Sequence, residues 1–219
     1  MAHLKRLVAP KTWPIVRKES VFVTKPYPRA RLEYSIPLSI LLRDIMKLGD
    51  TTHEIRKILN EGNVKINGKV RRDLKFTATI LDVVEIEKLG KVYRVGFNKL
   101  GKIALEETSN TKHRLARVEN KTKVTGGKIQ LNLLDGTNVL ADKDEYKTGD
   151  VVKLTVPENK VSGKISPHTG ANVLVIGGKH IGETAKIKSL HLEKAPKEVV
   201  LQGEAGEFRT RFANVHLIE

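Results

Sequence analysis

Between Leu38 and Glu87 the spacing of apolar residues changes from about four to two. Leu41, Ile45 and Leu48, with Leu42 and Met46 beside them, predict a helix with one apolar face. Ser39, Arg43 and Lys47 stand four apart and are expected to stack on its opposite side. Thr51 and Glu54 form a capping box that opens a second helix, which ends at Gly62. Ile55, Ile58 and Leu59 would be its buried side, leaving His53, Arg56 and Lys57 in solvent. Val64-Lys65-Ile66 then enters Asn67-Gly68, the pair that accepts the positive φ angles of a type I′ hairpin turn. Val84 and Ile86 alternate with Glu85 and Glu87, which reads as a returning strand.

The alternation continues after Gly90. Val92–Phe97 and Ile103–Leu105 flank a turn at Leu100-Gly101. Ile129–Leu133 and Asn138–Leu140 flank Asp135-Gly136, and Val151–Val156 is a final strand before Pro157. Further on, Val173–Ile176 runs into Gly177, Gly178 and Gly182. Ala185 and Ile187 then alternate with Thr184, Lys186 and Lys188, while Phe208, Thr210 and Phe212 alternate with Arg209 and Arg211. The first 34 residues follow neither period, and Pro10, Pro14, Pro26 and Pro28 interrupt them. The expected class is α+β in four regions: an extended arm over 1–36, a helical-hairpin-plus-β module over 37–90, a β-rich centre over 91–168, and a last β region over 169–219.

Charge adds a partner to this picture. The 219 residues carry a formal +15, which points to a polyanion. Residues 1–34 hold eight Lys/Arg against Glu19 and Glu33, a net of +6, and residues 89–168 hold fifteen against nine, again +6. No apolar run reaches the length of a membrane span, and no apolar signal-peptide core follows Lys5 and Arg6. Cysteine is absent, which removes disulfides, thiolate nucleophiles and cysteine zinc sites and is compatible with a reducing cytoplasm.

The arm interleaves Lys5, Arg6, Lys11, Arg17, Lys18, Lys25, Arg29 and Arg31 with Trp13, Phe22, Tyr27 and Tyr34. Cations neutralise phosphates and aromatic faces stack on unpaired bases. Much of this arm is expected to stay disordered until an RNA surface orders it. Trp13 suits either RNA contact or packing on the neighbouring module. For the cations of the helical module the plain alternative is a solvated face, and so it is for the cluster from Lys112 to Lys128. Seven histidines stand at 3, 53, 113, 168, 180, 191 and 216, none at metal-ligand spacing. No catalytic motif is present, so neither enzyme activity nor a cofactor, metal or small-molecule substrate is expected.

Two helices, an Asn-Gly hairpin and a returning strand at these spacings resemble the S-four-type RNA-binding fold. Val173–Ile176 with the glycines at 177, 178 and 182 and Ile187 resembles the KOW motif, a small β-barrel segment of ribosomal proteins and transcription elongation factors. The order of the pieces is similar to that of the small-subunit ribosomal protein family S-four-e. The opening peptide His3–Trp13, Lys65–Arg71 with Asp73, and Val175–Gly178 with Ile181-Gly182 carry that resemblance over nearly the whole chain. It departs at Lys75–Thr79, where the family usually has a proline, and at Glu183, where a basic residue is common. The resemblance implies a structural, non-catalytic protein of the cytoplasmic ribosome, partnered by small-subunit rRNA and neighbouring ribosomal proteins. The chain ends soon after the KOW-like segment, which suggests an archaeal source. RNA contacts are expected from Lys5, Arg6, Lys11, Trp13, Arg17 and Lys18 in the arm. In the module they are expected from Arg43, Lys47, His53, Arg56, Lys57, Lys65, Lys69, Arg71 and Arg72, and in the last region from Lys179, Lys186, Lys188, Arg209 and Arg211. An RNA chaperone or transcription-associated factor is the alternative function, with an rRNA-modifying enzyme third.

Overall fold

The computed structural model describes residues 3–109, 112–124, 126–192, 196–204 and 206–218. They fall into two compact units, one of residues up to Phe97 with Lys102–Arg114, the other of Asn98–Gly101 with residues from Leu115 onward. Both are dominated by antiparallel strands; among the described residues the α-helices lie in the first unit, so the chain as a whole is α+β.

In the first unit, β1 (Leu4–Lys5) pairs with β2 (Phe22–Val23). The strand β3 (Ser35–Pro37) leads into helix α1 (Leu38–Ile40), whose C-terminal continuation Leu41–Ile45 is π-helical. Helix α2 (Thr52–Asn60) follows, then β4 (Val64–Ile66), β5 (Lys69–Val70), β6 (Thr77–Thr79), β7 (Val83–Ile86), β8 (Lys91–Phe97) and β9 (Ile103–Glu107). The main sheet runs in the order β5-β4-β7-β8-β9, and β3 pairs separately with β6. Hydrogen bonding therefore continues across residue 90, where the apolar pattern alone suggested a division. Leu38, Ile40, Leu41, Leu42, Ile55 and Leu59 are fully buried, as are Val64 and Val84 on the sheet.

The predicted capping box is present: the Thr51 hydroxyl accepts from the Glu54 N–H at 3.3 Å. The Glu54 carboxylate in turn accepts from the Asp50 backbone N–H and from the Thr51 hydroxyl, both at 2.9 Å, and these two hydrogen bonds hold it below the usual range. Asn67 and Gly68 both have positive φ, 49° and 70°, as the type I′ turn requires.

The first helix departs from expectation. The Met46 N–H reaches back five residues to the Leu41 carbonyl at 3.1 Å, so a π turn inserts one extra residue. That shift breaks the stripe of Ser39, Arg43 and Lys47. Ser39 is buried, Arg43 bonds to Asp44 and Thr52, and Lys47 leaves the helix at φ 54°.

The arm is also ordered, contrary to expectation. Trp13 is fully buried, and its indole N–H donates to the Ser35 carbonyl at 2.7 Å. Thr12 donates to the Glu33 carbonyl at 2.9 Å and accepts from the Ile103 N–H at 2.8 Å through its own carbonyl. Arg17 closes the loop from inside by donating to the Ala9 and Pro10 carbonyls, both at 2.7 Å. The arm lacks helical or strand periodicity because side chains replace the ladder as partners for its backbone carbonyls.

The second unit contains two five-stranded sheets. One is built from β10 (His113–Lys123, its first two residues belonging to the first unit), β11 (Ile129–Leu133), β12 (Asn138–Ala141), β13 (Val151–Thr155) and β14 (Val161–Ile165), ordered β12-β11-β10-β13-β14. The other contains β15 (Asn172–Val175), β16 (Thr184–His191), β17 (Glu198–Gly203), β18 (Gly206–Arg211) and β19 (Val215–Leu217), ordered β18-β17-β16-β15-β19. Strand β13 serves both cores. Val152 and Leu154 pack with Ala116, Val118 and Leu131, while Val151 packs with Val173, Val175, Ile187 and Leu201. Gly149, at φ 96°, lies against the Phe212 ring, where a Cβ would collide with it.

His216 lies opposite Leu174 in the β15–β19 register and is 3% exposed. Its Nδ1–H donates to the Leu217 carbonyl at 2.8 Å. Burial is the main cause that lowers its pKa; the hydrogen bond to Leu217 opposes it, the Arg117 charge adds to it and Asp135 opposes it, and together they bring the pKa to about 4. The neutral ring is thus the folded form, while the unfolded chain protonates near 6.5. Stability from this group is complete above pH 6.5 and falls towards pH 4, by about 1.4 kcal/mol per unit and roughly 3 kcal/mol in all. Urea titrations from pH 7 to pH 4 are expected to show that slope, and His216→Leu is expected to flatten it. Equal slopes in both proteins would refute the assignment.

Candidate nucleic-acid interface

In the first unit one set of exposed cations lies on and next to α2 and the hairpin that follows it. Ile55 and Leu59 bury one side of the helix, which turns His53, Arg56 and Lys57 into solvent. Lys69 and Arg72 are exposed on and just after β5. Gly62, at φ 81°, ends the helix, and the Arg72 Nη2 lies 3.6 Å from the position a Cβ would take there. Lys47 is exposed beyond the π turn. Among the described residues none of Lys47, Arg56, Lys57, Lys69 and Arg72 makes an ion pair, so their charge is available to a polyanion.

Neighbouring cations are spent within the protein. Lys65 pairs with Glu87, and Arg43 with Asp44 at 2.9 Å. Arg71 is half-buried with its guanidinium 4.2 Å from the Phe76 ring centroid. Burial, and then the adjacent Arg29, lower its pKa, and its Nε has no hydrogen-bond partner among the described residues.

In the arm, Lys5, Lys11 and Lys18 are exposed. Trp13 and Arg6 are not, and both expectations of direct RNA contact are corrected here. Trp13 fills the core, and Arg6 is 7% exposed, with Nη1 2.6 Å from the Ser20 hydroxyl and Nη2 3.6 Å from Glu19. Arg17 is turned inward onto carbonyls as described. Periodicity carries no information about which cation of an aperiodic segment points inward.

The second unit carries its own basic face. Lys186 and Lys188 project from β16, with Ala185 and Ile187 buried between them, and Arg209 and Arg211 project from β18. Strand β17 lies between these two, with Val200 opposite Arg209 and Glu198 opposite Arg211. Lys188 pairs with Glu207, while Lys179 is exposed in the glycine-rich turn. His180 stacks on Phe208 at 4.0 Å between centroids, and Glu183 accepts at 3.1 Å from its Nδ1.

Sequence reasoning missed a buried residue at the centre of a polar network. Asp82 is fully buried and accepts from Asn67 at 2.7 Å, Arg29 at 2.8 Å and the Thr79 N–H and hydroxyl at 2.9 and 2.8 Å. Arg114 reaches it at 3.4 Å. A lone aspartate between Leu81 and Val83 was the available signal. The cluster from Lys112 to Lys128 resolves into residues of one long strand and its turn. Of these, Arg114 is buried, Arg117 caps the Ala213 and Val215 carbonyls at 2.8 and 2.9 Å, and Lys121 pairs with Asp144. Among the described residues no group of three or more His, Asp or Glu could hold a metal, and no helix is long and apolar enough to cross a membrane.

Three family models match the chain: the RS4NT (NUC023) domain over residues 2–28, the S4 domain over 37–84 and Ribosomal family S4e over 89–161. The S4 match falls on the stretch of α1, α2 and the Asn67-Gly68 hairpin. A protein named Small ribosomal subunit protein eS4 from Methanocella arvoryzae is 43% identical over 211 residues, 95% of this chain and 90% of that one. Another of that name from Archaeoglobus fulgidus is 43% identical over 95% of this chain and 89% of its own length. The crystal structure of the 30S ribosomal protein S4e from Thermoplasma acidophilum superposes with a TM-score of 0.71 and 31% identity. It covers 84% of this chain and 95% of that one. Likeness of this extent in sequence and backbone, spanning both units and nearly the full length of archaeal relatives, has one consequence: the chain belongs to the eS4 family of small ribosomal subunit proteins.

Proposed function

We propose that this protein is a structural constituent of the small ribosomal subunit, binding rRNA through its basic faces and taking no catalytic part. The observation that carries the reading is the 43% identity over 95% of the chain to a protein named for that subunit. The chemistry of the surface agrees with it. Around α2 the unpaired cations are lysine and arginine on a rigid scaffold, suited to phosphates along a folded backbone and to shape recognition of RNA. We assign phosphate contacts to Lys47, His53, Arg56, Lys57, Lys69 and Arg72 in the first unit, together with Lys5, Lys11 and Lys18 of the arm. Lys179, Lys186, Lys188, Arg209 and Arg211 serve the second. Residues 169–219, with an exposed glycine-rich turn between two strands of a five-stranded sheet, are read as KOW-type. On this reading the protein works in the cytoplasm, within the ribosome and among neighbouring ribosomal proteins.

Sucrose-gradient fractionation of lysate tests the proposal. Stoichiometric migration with the small subunit is expected to survive a high-salt wash, because many phosphate contacts are made at once. Release at moderate salt, or migration with free RNA or polymerase, would favour a loosely bound factor and defeat the structural role.

A further inference from the structure

The arm encloses a pocket of about 500 Å³, a size typical of small-molecule sites. One wall is the β1–β2 pair through His3, Leu4 and Val23; the other is the segment from Lys25 to Leu32 together with Lys75. The second wall is tied down. The Tyr27 N–H donates to the Lys75 carbonyl at 3.0 Å, the Tyr27 carbonyl accepts from the Thr77 hydroxyl at 2.7 Å, and Pro26 and Pro28 fix φ on either side. The site is therefore formed before anything enters it, which limits the ordering entropy that a ligand must overcome.

Its chemistry is two-sided. Tyr27 offers a ring that is 46% exposed, and the nearby Asp73 carboxylate, through hydrogen bonding and charge, raises the phenol's pKa. The His3 ring faces the pocket with Phe22 behind it, the ring centroids 5.3 Å apart. Lys25 and Lys75 are exposed and make no ion pair among the described residues, and no carboxylate lines the pocket. An apolar slot with an aromatic face and two free ammonium groups fits a flat, apolar-faced group carrying an anion. From the pocket enclosed by His3, Tyr27, Lys25 and Lys75 we infer that the arm captures one unpaired nucleotide of the bound RNA. The base stacks on Tyr27 and the flanking phosphates meet the two lysines. The inference rests on the RNA-binding reading above and adds to it a single-strand contact that the phosphate-binding cations of α2 do not supply.

The test uses the full chain with two fluorescein-labelled probes, a twelve-nucleotide oligouridylate and a twenty-base-pair RNA duplex. Tyr27→Ala, a substitution at a half-exposed ring, is expected to weaken oligouridylate binding roughly tenfold and leave the duplex unchanged, whereas Tyr27→Phe retains binding. Lys25→Glu with Lys75→Glu is expected to act in the same direction as Tyr27→Ala. Arg56→Glu with Lys57→Glu should weaken both probes, as the general reading requires. If Tyr27→Ala leaves single-strand affinity intact while the α2 variant weakens both, the pocket proposal fails and RNA binding stands. If the wild type binds neither probe, both fail together. Saturation by free uridine monophosphate with no preference for the single strand, or by a proline-rich peptide in its place, would give the pocket another occupant and overturn the proposal.

Discussion

Asp82→Ala is expected to unfold the first unit at temperatures where the wild type is intact, with a loss of about 3–5 kcal/mol. The carboxylate is fully buried and shared by Arg29, Asn67, Thr79 and Arg114, which come from the arm, the hairpin turn, the end of β6 and the start of β10. Arg114 is itself 2% exposed. Removing the anion leaves the buried Arg114 and the largely buried Arg29 without the carboxylate that offsets their charge, and deprives the Thr79 N–H of its acceptor. Breaking such a network from one side is far more damaging than its net stabilisation suggests, because the surviving charges stay largely out of water after the anion they shared is gone, even though Arg29 still donates to the Thr77 carbonyl at 3.0 Å. In calorimetry the fall in Tm is expected to be roughly 10–20 °C for a unit of this size. Asp82→Asn, which keeps shape and two hydrogen-bonding atoms, should fall between. A loss below about 1 kcal/mol for the alanine variant would show that the arginines are held by other means.

Trp13→Ala carries the second large effect, about 3–5 kcal/mol. The side chain has no exposed surface, and its N–H is bonded to the Ser35 carbonyl at 2.7 Å and, more loosely, to the Leu32 carbonyl at 3.3 Å. Its removal leaves a large cavity and an orphaned acceptor, and detaches the arm from the turn before β3. Trp13→Phe keeps most of the volume and loses the hydrogen bond, so a smaller loss of about 1–2 kcal/mol is expected. Because it is the sole tryptophan, fluorescence reports on it directly. Emission is expected to be blue-shifted in the native protein, to move red in denaturant, and to stay unchanged on adding RNA. Quenching by RNA would return Trp13 to a base-stacking role.

These two residues also mark the limit of what the chain reveals on inspection. Helix α2 was legible from end to end, since its cap, apolar face and terminal glycine are local features separated by three or four residues. The Asn67-Gly68 turn and the strand pairs around Leu100-Gly101 and Asp135-Gly136 were legible for the same reason: residue type at a turn sets the backbone. So were the exposed cations of α2, whose orientation follows from the apolar residues opposite.

Three features depended on tertiary structure. A single π turn moved Lys47 off the helix, and Ser39, in the turn before it, packs inward, although the four-residue spacing was intact. The arm was ordered by bonds such as Trp13 to Ser35 and Tyr27 to Lys75, between residues 22 and 48 apart, with no periodic signal. Arg29 meets Asp82 across 53 residues, so its place among the arm's cations gave no hint of a structural role. The sequence by itself determined the local elements, the basic character and the family. The tertiary structure decided which cations face solvent, because a charge is equally visible in the sequence whether its partner is a phosphate outside or a carboxylate folded in from far along the chain.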